Sequence, residues 1–127
     1  MDLHEDGGLR IVRAEAELDW ERSQAFAERI REAARADGAR VVVDLSAAVF
    51  ADSSTLHVLL EARRELADRG GRLVLAGPLG AGIRRLFDLT MTSGHFEFAA
   101  DTAAARHALE NGPPDHLAER EPRSPET

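Results

Sequence analysis

The 127-residue sequence contains no cysteine, and although Lys and Arg together number 16, every one of them is arginine. Without cysteine there is no disulfide, no thiol nucleophile and no cysteine-ligated metal site. Without lysine there is no Schiff-base or lysine general-base chemistry; the all-arginine usage reads as coding bias. No apolar run is long enough to cross a bilayer, and Met1-Asp2-Leu3-His4-Glu5-Asp6 lacks the basic and apolar regions of a signal peptide. A cytoplasmic location without membrane insertion is therefore expected. The net charge of -7 disfavours nonspecific nucleic-acid or anionic-membrane binding, because phosphates are repelled overall. His4, His57, His95, His107 and His116 are scattered without a His-x-x-x-His pair, so neither a metal nor a cofactor is expected. Gly77-Pro78-Leu79-Gly80-Ala81-Gly82 precedes a helix but lacks the Lys-Ser/Thr of a P-loop and the dinucleotide-binding fingerprint.

What is present fits one soluble α/β domain: 43% hydrophobic and 31% charged residues are ordinary for that class. Met1–His4 is a candidate strand, Glu5-Asp6-Gly7-Gly8 a turn, and Leu9–Leu18 a second strand. Asp19 can cap a helix over Trp20–Ala36, which carries Phe26, Ile30 and Ala33 or Ala34 at helical spacing and stops at Asp37-Gly38. The β-branched run Val41-Val42-Val43-Asp44-Leu45 predicts a buried strand. A helix follows Ser53 with Leu56, Leu59, Leu60 and Leu66 on one face, ending at Gly70-Gly71. Arg72–Ala76 is a strand, and Ala81–Thr90 a helix with Ile83, Leu86, Phe87 and Leu89 inward. Phe96–Phe98 is a last strand, and Asp101 caps a final helix to about Leu109. Helices alternating with strands imply parallel pairing by crossovers, with the first two strands forming a hairpin. Residues 1–111 form the domain; 112–127, rich in proline and charge, form a disordered tail.

Phe50-Ala51-Asp52-Ser53-Ser54-Thr55-Leu56 is the most informative segment. It sets hydroxyls and a carboxylate at a helix start, where unpaired N–H groups and the positive dipole end favour either a capping serine or a phosphoryl group. Ser53 and His57 share a helix face, but with no orienting carboxylate beyond His57 and no Gly-x-Ser-x-Gly elbow, a hydrolase is set aside. Arg63-Arg64 and Arg84-Arg85 alternate with Glu61, Glu65 and Asp88, which predicts pairing along the helices. Trp20, the single tryptophan, is assigned to the core or to a partly buried position, with an interface anchor as the alternative.

Ala16-Glu17-Leu18-Asp19, Val42 to Ser46, Val49 to Leu56, Gly70 to Pro78 and Arg84 to Thr90 together resemble the STAS domain of bacterial anti-sigma factor antagonists, over residues 9–110. The resemblance implies an α/β fold: a mixed sheet of four to five strands with about four helices packed mainly on one face. It implies a protein that is not an enzyme. Unphosphorylated, it binds an anti-sigma factor that is also a serine kinase of the histidine-kinase-like ATPase fold, and so frees a sigma factor. Phosphorylation ends the binding and a serine phosphatase resets it. The family's phosphorylated position falls on Ser53, with Ser54 and Thr55 as secondary candidates. The expected partner surface includes Asp19, Asp52, Ser53, Ser54, Thr55, His57, Gly77 and Pro78. The family usually has glycine in the places of Ala16 and Thr55. The alternative is a STAS regulatory subunit of a membrane transporter or stress-signalling assembly, without sigma-factor control.

Overall fold

The structure, a computed structural model, describes residues 3–6 and 9–111. The expected tail and the Gly7-Gly8 part of the expected turn lie outside the described residues. Five strands form one sheet: β1 (Leu3–Asp6), β2 (Leu9–Arg13), β4 (Arg40–Asp44), β6 (Arg72–Ala76) and β7 (Glu97–Ala99), in the order β1-β2-β4-β6-β7. β1 runs antiparallel to β2, and the other neighbours are parallel. Two short strands, β3 (Glu17–Leu18) and β5 (Phe50–Ala51), pair separately in parallel. The helices are α1 (Trp20–Ala33), α2 (Ser53–Asp68), α3 (Ala81–Leu89) and α4 (Thr102–Glu110).

The central strands are apolar on both faces because both faces are covered. Val41, Val43, Leu73 and Leu75 pack with Phe26, Ile30, Leu59, Leu66, Ile83 and Phe87 of α1, α2 and α3. Val42, Val74 and Ala76 face the other way and meet Ala105 and Leu109 of α4. Three helices thus cover one face and α4 the other, which is the mixed sheet with helices mainly on one face. Left-handed backbone at Gly38 (φ +73) and Gly70 (φ +77) turns the chain after α1 and α2, a conformation glycine adopts without steric cost.

Several local expectations are corrected. The strand expected over Leu9–Leu18 is two strands. The chain leaves the main sheet after Arg13, with Ala14 N–H donating to Asp44 O, and re-pairs where Val49 and Phe50 N–H donate to Ala16 O. β5 lies in what reads as a loop. The first helix ends at Ala33, not Ala36. Leu89 is 70% exposed, because two residues beyond the buried Phe87 is the opposite side of a helix. Trp20 is exposed and not core. Arg63, Arg64, Arg84 and Arg85 form no ion pair among the described residues.

Asp44, at the end of β4, is a buried carboxylate. Burial alone would raise its pKa. The Ser46 N–H (2.9 Å), the Ser46 hydroxyl and Arg13 Nε (3.2 Å) outweigh that, and its carboxyl is held below the ordinary aspartate value.

Two outcomes follow from this packing. Leu66→Ala, at a site with no exposed area, lowers stability by about 2–5 kcal/mol, whereas Leu89→Ala stays within about 0.5 kcal/mol, read from urea midpoints. Because the folded pKa of Asp44 is depressed, its contribution is present above the unfolded aspartate pKa. It is lost as pH falls through the folded value. Asp44→Asn flattens this acid limb of the urea-midpoint profile.

Candidate functional site

The parallel pairing of β3 with β5, Leu18 opposite Ala51, makes one local arrangement occur twice. Each short strand runs into an aspartate and then a helix: Leu18-Asp19-Trp20 and Ala51-Asp52-Ser53. Both aspartates are extended and cap. Asp19 Oδ1 accepts from Arg22 N–H at 2.9 Å, and Asp52 Oδ1 accepts from Ser54 N–H at 3.0 Å. The capping serine considered from the sequence is therefore corrected: the carboxylate before it satisfies the helix start. Ser53 becomes the first helical residue, with no capping task.

The three hydroxyls that follow differ in availability. Ser53 is exposed, and its hydroxyl has no hydrogen bond among the described residues. Ser54 Oγ is half-buried, donates within reach of Asp52 Oδ1, and lies 3.0 Å from Ser23 Oγ, which in turn is 2.9 Å from Trp20 O. Two hydroxyl protons serve these three contacts. Ser54 donates to Asp52, because two oxygens this close repel without a proton between them. Ser23 then donates to Ser54, which joins the first turns of α1 and α2, with the Trp20 carbonyl as its other acceptor within reach. Thr55 is buried and donates to Leu18 O at 3.0 Å, so the residue standing where the family usually has glycine ties α2 back to β3.

His57 is exposed, with Nε2 3.4 Å from Glu61 Oε2. The expectation that no carboxylate faces His57 is corrected, since Glu61 stands one turn on. No hydrogen bond joins His57 to Ser53, however, so the three do not form a relay. Gly77 is buried, its N–H donating to Ala99 O at 2.9 Å. With Pro78 it borders a groove of about 520 Å3 together with Arg84, Phe87 and Phe98. What lies against the segment before Ser53 is further along, at the second residue of α3: a Cβ on Gly82 would come within 2.9 Å of Val49 O. Glycine there lets α3 approach.

Sequence reading missed Ser23, the exposed Val49 and Phe50, and the close approach at Gly82. Only Ser23 carried a signal: it is a polar residue three and seven positions before Phe26 and Ile30, on the buried face of α1. Among the described residues no group of three His, Cys, Asp or Glu could hold a metal, and no helix is long and apolar enough to cross a membrane.

A family model described as the STAS domain matches residues 1–105. An anti-sigma factor antagonist from Mycobacterium paratuberculosis superposes with a TM-score of 0.74 at 24% identity, over 85% of this chain and 91% of that one. The Bacillus cell fate determinant SpoIIAA in its phosphorylated form gives 0.62 at 20% identity, over 86% and 96%. The unphosphorylated form of SpoIIAA gives 0.66 at 19%, over 87% and 97%. The murine anion transporter Solute Carrier 26 family member A9 gives 0.69 at 16%, over 86% of this chain and 19% of the transporter. At these identities the structural likeness is one of fold.

The ties at this site carry different weights. Asp52→Ala costs about 1 kcal/mol and Asp52→Asn a fraction of that, since asparagine also caps. Thr55→Val, which strips Leu18 O of its donor inside the protein, costs about 1–3 kcal/mol. Ser53→Ala stays within about 0.5 kcal/mol. Urea unfolding of the four variants measures the order.

Proposed function

The chain belongs to the STAS domain family, and from that premise we propose that it is an anti-sigma factor antagonist switched by phosphorylation of Ser53. Unmodified, it docks on an anti-sigma factor that is also a serine kinase of the histidine-kinase-like ATPase fold, and a sigma factor is released. The phosphorylated form lets go, and a serine phosphatase returns it to the binding state. It works in the cytoplasm as a binding protein without catalysis, nucleic acid or membrane insertion.

The observation that supports this reading is the position of the Ser53 hydroxyl. Of three consecutive hydroxyls at the start of α2 it is the one both exposed and unengaged. In the transfer, Ser53 Oγ attacks the γ-phosphorus of ATP, the new O–P bond replaces the bond to ADP, and the hydroxyl proton passes to a base on the kinase. The product serine carries about -1.5 to -2 charges beside Asp52. It then faces the phosphates of the ADP it came from, so the contact that was favourable becomes repulsive. A difference of about 3 kcal/mol between the two forms weakens binding more than a hundredfold. The fold tolerates the group, because the free N–H groups and dipole of a helix start favour an anion. The shared fold of SpoIIAA in its two forms supports a switch that leaves the scaffold standing.

The likeness to part of an anion transporter supports a second reading, a STAS module regulating a membrane transporter. One experiment separates the two. Wild-type, Ser53→Ala and Ser53→Asp chains are used as affinity baits, and each is incubated with ATP and whatever kinase is recovered. Wild-type and Ser53→Ala retain an anti-sigma factor kinase, Ser53→Asp retains at least about tenfold less, and one phosphate appears on Ser53 of the wild type alone. Phosphate on the Ser53→Ala chain defeats the site. Recovery of a transporter by all three baits favours the second reading.

A further inference from the structure

We infer that Trp20 is the apolar anchor by which this chain grips the kinase that modifies Ser53, its ring seated in an apolar pocket whose rim is basic. This rests on the reading of Ser53 as the modified residue and goes beyond it, by naming a contact residue and the chemistry of the surface that receives it.

Trp20 is 65% exposed, and it is the single tryptophan of the chain. A large aromatic left in water is an unfavourable use of apolar surface unless something covers it. Its place is set by the duplicated strand-aspartate-helix arrangement. Leu18 pairs with Ala51, Asp19 and Asp52 cap, and the next residue on each branch is Trp20 or Ser53. Both are first residues of their helices. The two helix starts are therefore neighbours at one end of the domain, and each has an exposed first residue, an indole on one and a hydroxyl on the other. Phe50 (50% exposed), on the strand leading to Ser53, and Val49 (68% exposed), just before that strand, add exposed apolar surface.

The platform is held before any partner arrives. The Ser23–Ser54 hydrogen bond ties the first turn of α1 to that of α2. Thr55 donates to Leu18 O, two residues before Trp20. An anchor on a pre-ordered turn loses little further entropy on docking. Tryptophan is also the side chain most enriched among residues that dominate binding energy.

The charge around it defines the receiving rim. Arg22 reaches Asp19 and Glu15, and Arg29 also reaches Glu15. Glu17 and Glu21 have no ion pair among the described residues. Glu17 lies opposite Phe50 in register, and Glu21 follows Trp20. An apolar centre with an acidic margin is matched by an apolar pocket with arginine or lysine around it. Of the other exposed large apolar residues described, Leu89 ends α3 and Met91 follows it, about 12 Å along that helix from its start beside Val49, and Phe98 lies on β7 at the groove bordered by Gly77 and Pro78.

The test uses the whole chain and a panel of purified anti-sigma factor serine kinases, with Trp20→Ala, Trp20→Phe and Met91→Ala variants. With the kinase that phosphorylates Ser53, Trp20→Ala raises Kd, and the KM of phosphorylation, about thirtyfold. Its kcat stays within about twofold, Trp20→Phe recovers most of the affinity, and Met91→Ala behaves as wild type. In a chain carrying 5-hydroxytryptophan at residue 20, selectively excited emission moves to shorter wavelength when the kinase is added. Equal Kd for wild type and Trp20→Ala overturns the anchor and leaves the Ser53 switch standing. Failure of every kinase in the panel to modify Ser53 removes both. A Trp20→Ala chain that unfolds at clearly lower urea assigns Trp20 to the core. Emission that shifts with this chain's own concentration assigns it to self-association; either result overturns the anchor.

Discussion

The Asp52 carboxylate on the Ser54 N–H is the interaction on which the site depends. A helix start needs acceptors for its first N–H groups, and a serine in that place would be committed to capping. With aspartate one residue earlier, the need is met by its carboxylate. The serine after it keeps a free hydroxyl on an ordered backbone. A second constraint, the two-residue pairing of β3 with β5, repeats the arrangement at Asp19 and brings the two helix starts together. Few hydrogen bonds are involved, yet they determine which side chains at this end face inward and which remain available.

This division separates stability from function. Thr55, Ser54 and Ser23 point between the elements and hold them; Ser53, Trp20 and Phe50 point out. On the proposed reading, a charge added on the outward group alters what can dock without touching the inward ties. The core below is independent of this. It is built from the two faces of β4 and β6, closed by three helices on one side and α4 on the other.

Much of the architecture was legible in local sequence. The run from Val41 to Leu45 read as a buried strand, and β4 spans Arg40–Asp44. Asp19 and Asp101 stood where caps are needed, and glycine at position 70 marked the end of α2. Pairing was inferred wrongly for the arginines at 63, 64, 84 and 85. Sequence spacing puts opposite charges within reach, but exposed side chains gain too little from pairing to be held there. The short strand β5 was hidden because two residues carry no periodicity, and its existence depends on Ala16, more than thirty positions away in sequence.

At the site, the sequence alone determined that a carboxylate and three hydroxyls open a helix, since cap chemistry and hydrophobic period are properties of neighbouring residues. Which hydroxyl is free was decided only in three dimensions. Ser54 is engaged by Ser23 and Thr55 by Leu18, partners 31 and 37 residues away in the chain. The same holds for Trp20. Its apolar character is written in its side chain, whereas its exposure follows from the distant strand beside which its helix begins. Burial is a relation between segments, and no single segment encodes it.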